Sequence, residues 1–323
     1  MSEAVRRALE GALASVSGPF FFVGSGKNAG KTTAMNAVNR MLATRDTAVG
    51  VTTIGHDGEG RDAILGTEKP PVEVFAGNLV CLTRRMLDDA GDALEPVAPT
   101  GFVTPIGALE IARARRAANV EILGPETNAR CAEVCDRMRR LGARIGLVDG
   151  AFSRRTQMAM RDEAPLALIV SGDLGTTTGE VTAAIRYWVE LLSLPRAAEP
   201  DDDAAGIETP GGVPGASIVF TDGWVRVRGP LLGEAAADLA RIARGRRVLL
   251  NDATKVFCEE REWRALRGAC ASIGVVRSFD LRFVASNPTA RFKGAFDAFE
   301  FAHALKSAAS EKPVIDVVSG IVL

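Results

Sequence analysis

Histidine is almost missing from this chain: His56 and His303 are the only two in 323 residues. A histidine-built metal site or a Ser-His-Asp triad therefore has almost no material. One Tyr and three Trp leave few rings on which bases can stack, and 39 Lys and Arg against 40 Asp and Glu leave no excess of either sign. That balance argues against nucleic acid or an anionic membrane as the main partner. No apolar run approaches the roughly 20 residues needed to span a bilayer. Met1 to Ser17 reads as a short amphipathic helix carrying Arg6, Arg7 and Glu10, without the apolar core of a signal peptide, so the expected location is the cytoplasm. The five cysteines, Cys81, Cys131, Cys135, Cys258 and Cys270, form no Cys-x-x-Cys pair, and their odd number fits reduced thiols. Cys131 and Cys135 share a helix face, but no His or further Cys stands near them in the sequence; they read as buried structural thiols.

What is present is an ordinary globular composition, 47% hydrophobic and 24% charged, in a chain long enough for about two domains. Its centre is the run Phe20-Phe21-Phe22-Val23-Gly24-Ser25-Gly26-Lys27-Asn28-Ala29-Gly30-Lys31-Thr32-Thr33. A short apolar strand empties into glycines, and Lys31-Thr32-Thr33 opens a segment to Ala43 with apolar residues at helical spacing. Strand, phosphate loop and helix is the reading. A polyphosphate needs many close donors at once, which glycines and a helix start supply through main-chain N–H groups. On this reading Ser25, Gly26, Lys27, Asn28, Ala29, Gly30, Lys31, Thr32 and Thr33 hold the nucleotide. Lys31 adds a point charge for the β/γ-phosphates, and Thr32 a hydroxyl for Mg²⁺. Counting back from Gly30 in G-x-x-x-x-G-K-[ST] puts Ser25 where the first glycine belongs. For Lys27 two readings stand: it reaches phosphate across a homodimer, as the extra lysine does in MinD-like and dethiobiotin-synthetase-like proteins, or it is a solvated lysine.

Two strand tips supply acids. Ala48 to Ile54 is a β-branched run followed by Gly55-His56-Asp57-Gly58, and Asp57 is the candidate for orienting an attacking water and for Mg²⁺, or else a turn aspartate. Ile145 to Val148 ends in Asp149-Gly150, the arrangement of an acid that holds Mg²⁺. Ser153, Arg154 and Arg155 follow it, either to meet an anion or as a solvated basic turn. The run Leu166 to Val170 is another strand, leading through Ser171-Gly172-Asp173 to a helix from about Gly179 to Leu192. No Asn-Lys-x-Asp appears, which favours ATP over GTP. The segment 70–124 reads as a β-rich insertion, Gly124-Pro125 as the start of a helix to about Leu141, and 196–215 as a Pro- and Gly-rich linker. Residues 216–323 return to an α/β period, with polar loops at Asn251-Asp252 and Ser286-Asn287-Pro288 that form turns or else meet another domain or a partner. The expected fold is thus an α/β P-loop NTPase with a mostly parallel sheet: a nucleotide domain over 1–195 and a smaller α/β domain over 216–323.

Gly26 to Thr32, Val51 to Glu59, Gly66-Thr67-Glu68-Lys69-Pro70, Leu123 to Glu126, Val148 to Ala151 and Ser286-Asn287-Pro288 together resemble the ATPase subunit of a lysine 5,6-aminomutase reactivase. That resemblance implies a chaperone-like, Mg²⁺- and ATP-dependent protein. Its partners would be a MutS-related subunit and a cobalamin-dependent aminomutase that also uses pyridoxal phosphate. The Asp149-Gly150-Ala151 tip also resembles dethiobiotin synthetases, which keeps a small-molecule kinase or ATP-dependent ligase as the alternative. A binding module without turnover is the third reading.

Overall fold

The computed structural model describes residues 1–45, 47–57, 70–150, 163–198, 206–208, 217–221, 223–290 and 294–323; of 56–57, 206–208, 217, 220 and 221 only the main chain is described. Contacts divide the chain into two compact units: Met1–Met160 with Ala164–Ile185 and Leu281–Leu323, and Arg161–Glu163 with Arg186–Asp280.

The first unit is built on a nine-stranded sheet. In chain order its strands are β1 (Gly18–Gly24), β2 (Val49–Thr53), β3 (Leu79–Thr83), β4 (Leu94–Thr104), β5 (Gly107–Ala114), β6 (Ile145–Gly150), β7 (Ala164–Ser171), β8 (Phe279–Asn287) and β9 (Val314–Ile315), and their order across the sheet is β9-β8-β7-β1-β6-β2-β3-β5-β4. The run β7-β1-β6-β2-β3 is parallel throughout, as is the pair β8-β9. Helices α1 (Glu3–Leu13), α2 (Lys31–Ala43), α3 (Arg84–Asp89), α4 (Asn128–Arg140) and the start of α5 (Thr178–Leu192) belong to this unit. Strand β1 explains why the sequence shows three consecutive phenylalanines. Side chains alternate across a strand, so Phe20 and Phe22 share one face with 5.2 Å between their rings and Phe21 takes the other. All three are buried, because a central parallel strand is covered on both sides and carries a continuous apolar run rather than an alternating one. Phe20 stacks on Phe283 of β8, and the same cluster takes in Leu9 of α1 and Met35 and Met41 of α2.

The segment 70–124 is rich in strand, as expected, but most of it extends the main sheet. β3 adds to β2 in parallel, and β5 and β4 follow antiparallel to the edge. β4 is eleven residues long and carries Pro96 and Pro99 within it. They lie on an edge strand beside register shifts between Pro96 and Ala98 and between Pro99 and Val103, the places a sheet tolerates a residue without an N–H. The first residues of the segment take another course: Val72–Val74 pairs with Ala118–Val120. Two buried asparagines of α2 hold it there. Asn36 donates to the Pro71 carbonyl at 2.8 Å and accepts from the Glu73 N–H, and Asn39 donates to the Glu73 carbonyl and to Asn78. Helix α4 begins three residues later than Pro125 suggests. Thr127 caps it through the N–H of Arg130, while Gly124 and Pro125 exchange main-chain hydrogen bonds with Gly55.

The second unit contains α6 (Gly233–Ile242), α7 (Glu260–Ala269) and a sheet ordered Gly206–Glu208, Ser217–Thr221, Trp224–Arg228, Arg247–Leu250, Ser272–Val275, whose last three strands are parallel. The expected boundaries need correction here. Residues 281–323, with α8 (Ala298–Ala309), belong to the first unit, because β8 and β9 complete its sheet, and the second unit starts within α5, at Arg186. The expected linker also holds the strand Gly206–Glu208, paired with Ser217–Thr221.

All five cysteines are free, as read from the sequence, and burial, expected for Cys131 and Cys135, extends to Cys81, Cys258 and Cys270. Folding adds what spacing did not show: Cys81 of β3 comes within electrostatic reach of Cys131 and Cys135 of α4. Burial pushes the Cys81 thiol up to about 12, helped by Cys135. The hydrogen bond with Cys135, then burial, raises that of Cys131. A thiol whose pKa is raised by folding costs nothing while protonated in both states, below about pH 9. Above that the unfolded chain loses its proton first, and stability falls by about 1.4 kcal/mol per pH unit per thiol until the folded group also titrates. Urea unfolding at steps from pH 8.5 to 11 is expected to show this slope, and Cys81→Ala to flatten it by the contribution of one thiol.

Candidate functional site

The four central strands β7, β1, β6 and β2 are parallel, so their carboxyl tips lie along one edge. At that edge β1 runs into the glycine-rich loop. A Cβ on Gly24 would stand 3.1 Å from the Ala29 Cβ, the Gly26 carbonyl oxygen and the Lys31 Cγ alike. The loop therefore folds back over Gly24, and the stem of Lys31 crosses it. Spacing alone put the first required glycine at position 25; the steric demand falls one residue earlier. Ser25 is instead a bracing residue. Its N–H donates to the Ile169 carbonyl at 2.7 Å, and its Oγ accepts from the Ser171 N–H at 3.1 Å, both on β7. Gly30 has φ of +101° and Asn28 of +60°, left-handed conformations that glycine takes freely and asparagine tolerates best among the rest. Helix α2 then starts at Lys31 with no side chain capping its first turn. An uncapped helix start beside a tight loop presents donors and a positive dipole end to an anion.

Register places Asp149 of β6 opposite Phe22 of β1 and Thr53 of β2. Its main chain is fixed by the Thr53 hydroxyl and the Ile54 N–H, which both donate to its carbonyl. Its side chain is only 2% exposed, and the Thr32 Oγ1 donates to its Oδ2 at 3.1 Å. The two residues expected to share a metal are thus brought together from 117 positions apart. They suit Mg²⁺ in kind and spacing: both offer hard oxygen, and neighbouring ligands at 2.0–2.1 Å from an octahedral ion are about 3 Å apart. Among the described residues no group of three His, Cys, Asp or Glu could hold a metal. A site of one hydroxyl and one carboxylate accords with the way Mg²⁺ keeps waters and phosphate oxygens as its other ligands.

Asp57 is placed by its main chain, which pairs with Ile122 while His56 pairs with Leu123, beside the tip of β2. The side chains of both lie outside what is described, as do Ser153, Arg154 and Arg155. Lys27 is exposed in the loop. Asp173 is exposed in the turn after β7. Comparison with protein-family models, with curated proteins and with solved structures gives no match.

Two features of this edge were not read from the sequence. Asn287, at the tip of β8, donates through Nδ2 to the Ala29 carbonyl at 3.0 Å. The signal that marks Asp149, a polar residue directly after an apolar strand, is present in Ser286-Asn287 as well. The other is a cavity of about 490 Å³ lined by Thr83, Arg85, Asp89, Ile106, Asn119 and Glu121 among others. Thr83 ends β3, so the cavity opens at the same sheet edge as the loop. Three strand spacings separate β3 from β1, roughly 14 Å. Within its lining Arg85 pairs with Asp89 at 3.8 Å.

Gly30→Ala is expected to lower stability by about 1–3 kcal/mol, since it forces an L-residue into φ of +101° with its Cβ 3.2 Å from the Asn287 Nδ2. Gly26→Ala meets no atom within 4 Å and has no positive φ, so it should change stability by less than about 1 kcal/mol. Parallel urea titrations of the two variants check the contrast.

Proposed function

We propose that this chain is a Mg²⁺-dependent ATPase of the P-loop kind. The observation that carries the reading is the Thr32 hydroxyl bonded to the buried Asp149 carboxylate beside a glycine-rich loop and an uncapped helix start. In this reading the main-chain N–H groups from Gly26 to Thr33 orient the phosphates, with Ser25 bracing the loop from beneath. Lys31 stabilises charge that develops on the transferring phosphoryl group. Thr32 and Asp149 hold Mg²⁺, which supplies charge neutralisation when bound. Asp57 positions the attacking water, so that positioning and electrostatic stabilisation together lower the barrier. Lys27 serves the same phosphates from a second copy of the chain if the protein dimerises.

The resemblance stated above gives the switch its purpose: restoring a cobalamin-dependent aminomutase together with a MutS-related subunit in the cytoplasm, hydrolysis changing the affinity for those partners. A second reading is favoured by the cavity at the tip of β3. A small-molecule kinase or ATP-dependent ligase needs an acceptor pocket on the same edge as its phosphate loop, and a concave site of this size is large enough for a metabolite.

Calorimetry with Mg·ATP is expected to show binding that Lys31→Ala weakens by about tenfold or more, and Asp149→Asn is expected to remove most of its dependence on Mg²⁺. Absence of binding by the unaltered chain would sink the nucleotide reading. Where binding is present, the agent that raises steady-state hydrolysis separates the two functions: aminomutase plus MutS-related protein for the reactivase, a metabolite for the kinase or ligase.

A further inference from the structure

The glycine-rich loop is held from two directions. Beneath it, the tip of β7 supplies the Ile169 carbonyl and the Ser171 N–H to Ser25. Beside it, the tip of β8 supplies Asn287, more than 250 residues later in the chain, with its Nδ2 on the Ala29 carbonyl. A trans peptide is planar, with C=O and N–H pointing in opposite directions. Fixing the Ala29 carbonyl outward on Asn287 therefore turns the Gly30 N–H the other way, toward the inside of the loop, where a bound anion needs donors.

Asn287 is itself tightly set. Its Oδ1 accepts from the Thr289 N–H at 3.2 Å, which leaves Nδ2 as the atom facing the loop. The chain just beyond it packs against the β7 tip. A Cβ on Gly172 would meet the Pro288 carbonyl oxygen at 2.8 Å and the Phe296 ring at 2.9 Å, and that same carbonyl accepts from the Phe296 N–H. Around this junction two hydroxyls, Ser171 at 1% exposure and Ser286 at 5%, are buried with no hydrogen-bond partner for their oxygens among the described residues.

We propose that Asn287 is a positioning residue for nucleotide binding: by holding the Ala29 carbonyl it presets the loop peptide whose N–H receives the phosphate. The proposal rests on the reading of the loop as a nucleotide site. It separates the amide's hydrogen atoms from its bulk. Asn287→Asp keeps the size and the acceptor for Thr289 but loses the donor and sets a carboxylate against a carbonyl. Asn287→Ala loses the donor and the packing volume but adds no repulsion.

The test is isothermal titration of Mg·ADP into the full-length protein and both variants, with urea midpoints measured alongside. Asn287→Asp is expected to weaken binding by about tenfold or more and Asn287→Ala by about three- to fivefold, while the urea midpoint falls further for Asn287→Ala than for Asn287→Asp. A purely structural role predicts one order for both readouts, with the alanine variant worse in each, and that result overturns the proposal. So does Mg·ADP binding by Asn287→Asp at less than a threefold loss while the unaltered chain binds. If the aspartate variant does not fold, the alanine variant decides at the same threefold threshold. Failure of the unaltered chain to bind Mg·ADP removes the nucleotide reading itself and this proposal with it, an outcome distinct from the variant results.

Discussion

Parallel pairing is the constraint from which the rest follows. Once β1 is hydrogen-bonded in parallel to both β6 and β7, the ends of these strands emerge on one edge, and whatever polar residues follow them are gathered there without any local signal that they belong together. Burial of β1 on both faces makes that arrangement stable, since Phe20, Phe21 and Phe22 remove their whole side chains from water. The loop, the Thr32 hydroxyl, the Asp149 carboxylate and the Asn287 amide are all consequences of where parallel strands stop.

That same fact divides what the sequence made legible from what it did not. Local order was readable: an apolar run followed by glycines, then Lys-Thr and a helical period, gave β1, the loop and α2 almost to the residue. The Asp149 tip was readable for the same reason, a carboxylate directly behind four apolar residues. Strand neighbours were not. Nothing in the sequence near Ser286 says that β8 returns to the first sheet, so Asn287 passed as a turn or contact residue and 281–323 was assigned with the second α/β segment. The glycine pattern misled by one position, because a regular expression counts residues whereas the steric demand depends on which Cα lies beneath the Lys31 stem.

Electrostatics adds a second level to the site. The loop has glycines and an uncapped helix start but few fixed charges. Lys27 and Lys31 carry its positive charge, and the Asp149 carboxylate close by accepts from the Thr32 hydroxyl. Bound as proposed, a divalent ion and a polyphosphate would bring opposite charges to one place, so that each favours the other.

Helix α2 has a mechanical role that its position makes unavoidable. Its first turn carries Lys31 and Thr32, and one to two turns further on Asn36 and Asn39 grip the main chain of Pro71, Glu73 and the Asn78 side chain. A helix is stiff along its axis over so short a length. The helix thus ties the loop to the segment that leads into β3, the strand whose far tip lines the cavity. One rod joins two concave regions of the first unit, and amide side chains, which can neither titrate nor be screened by salt, are its couplings.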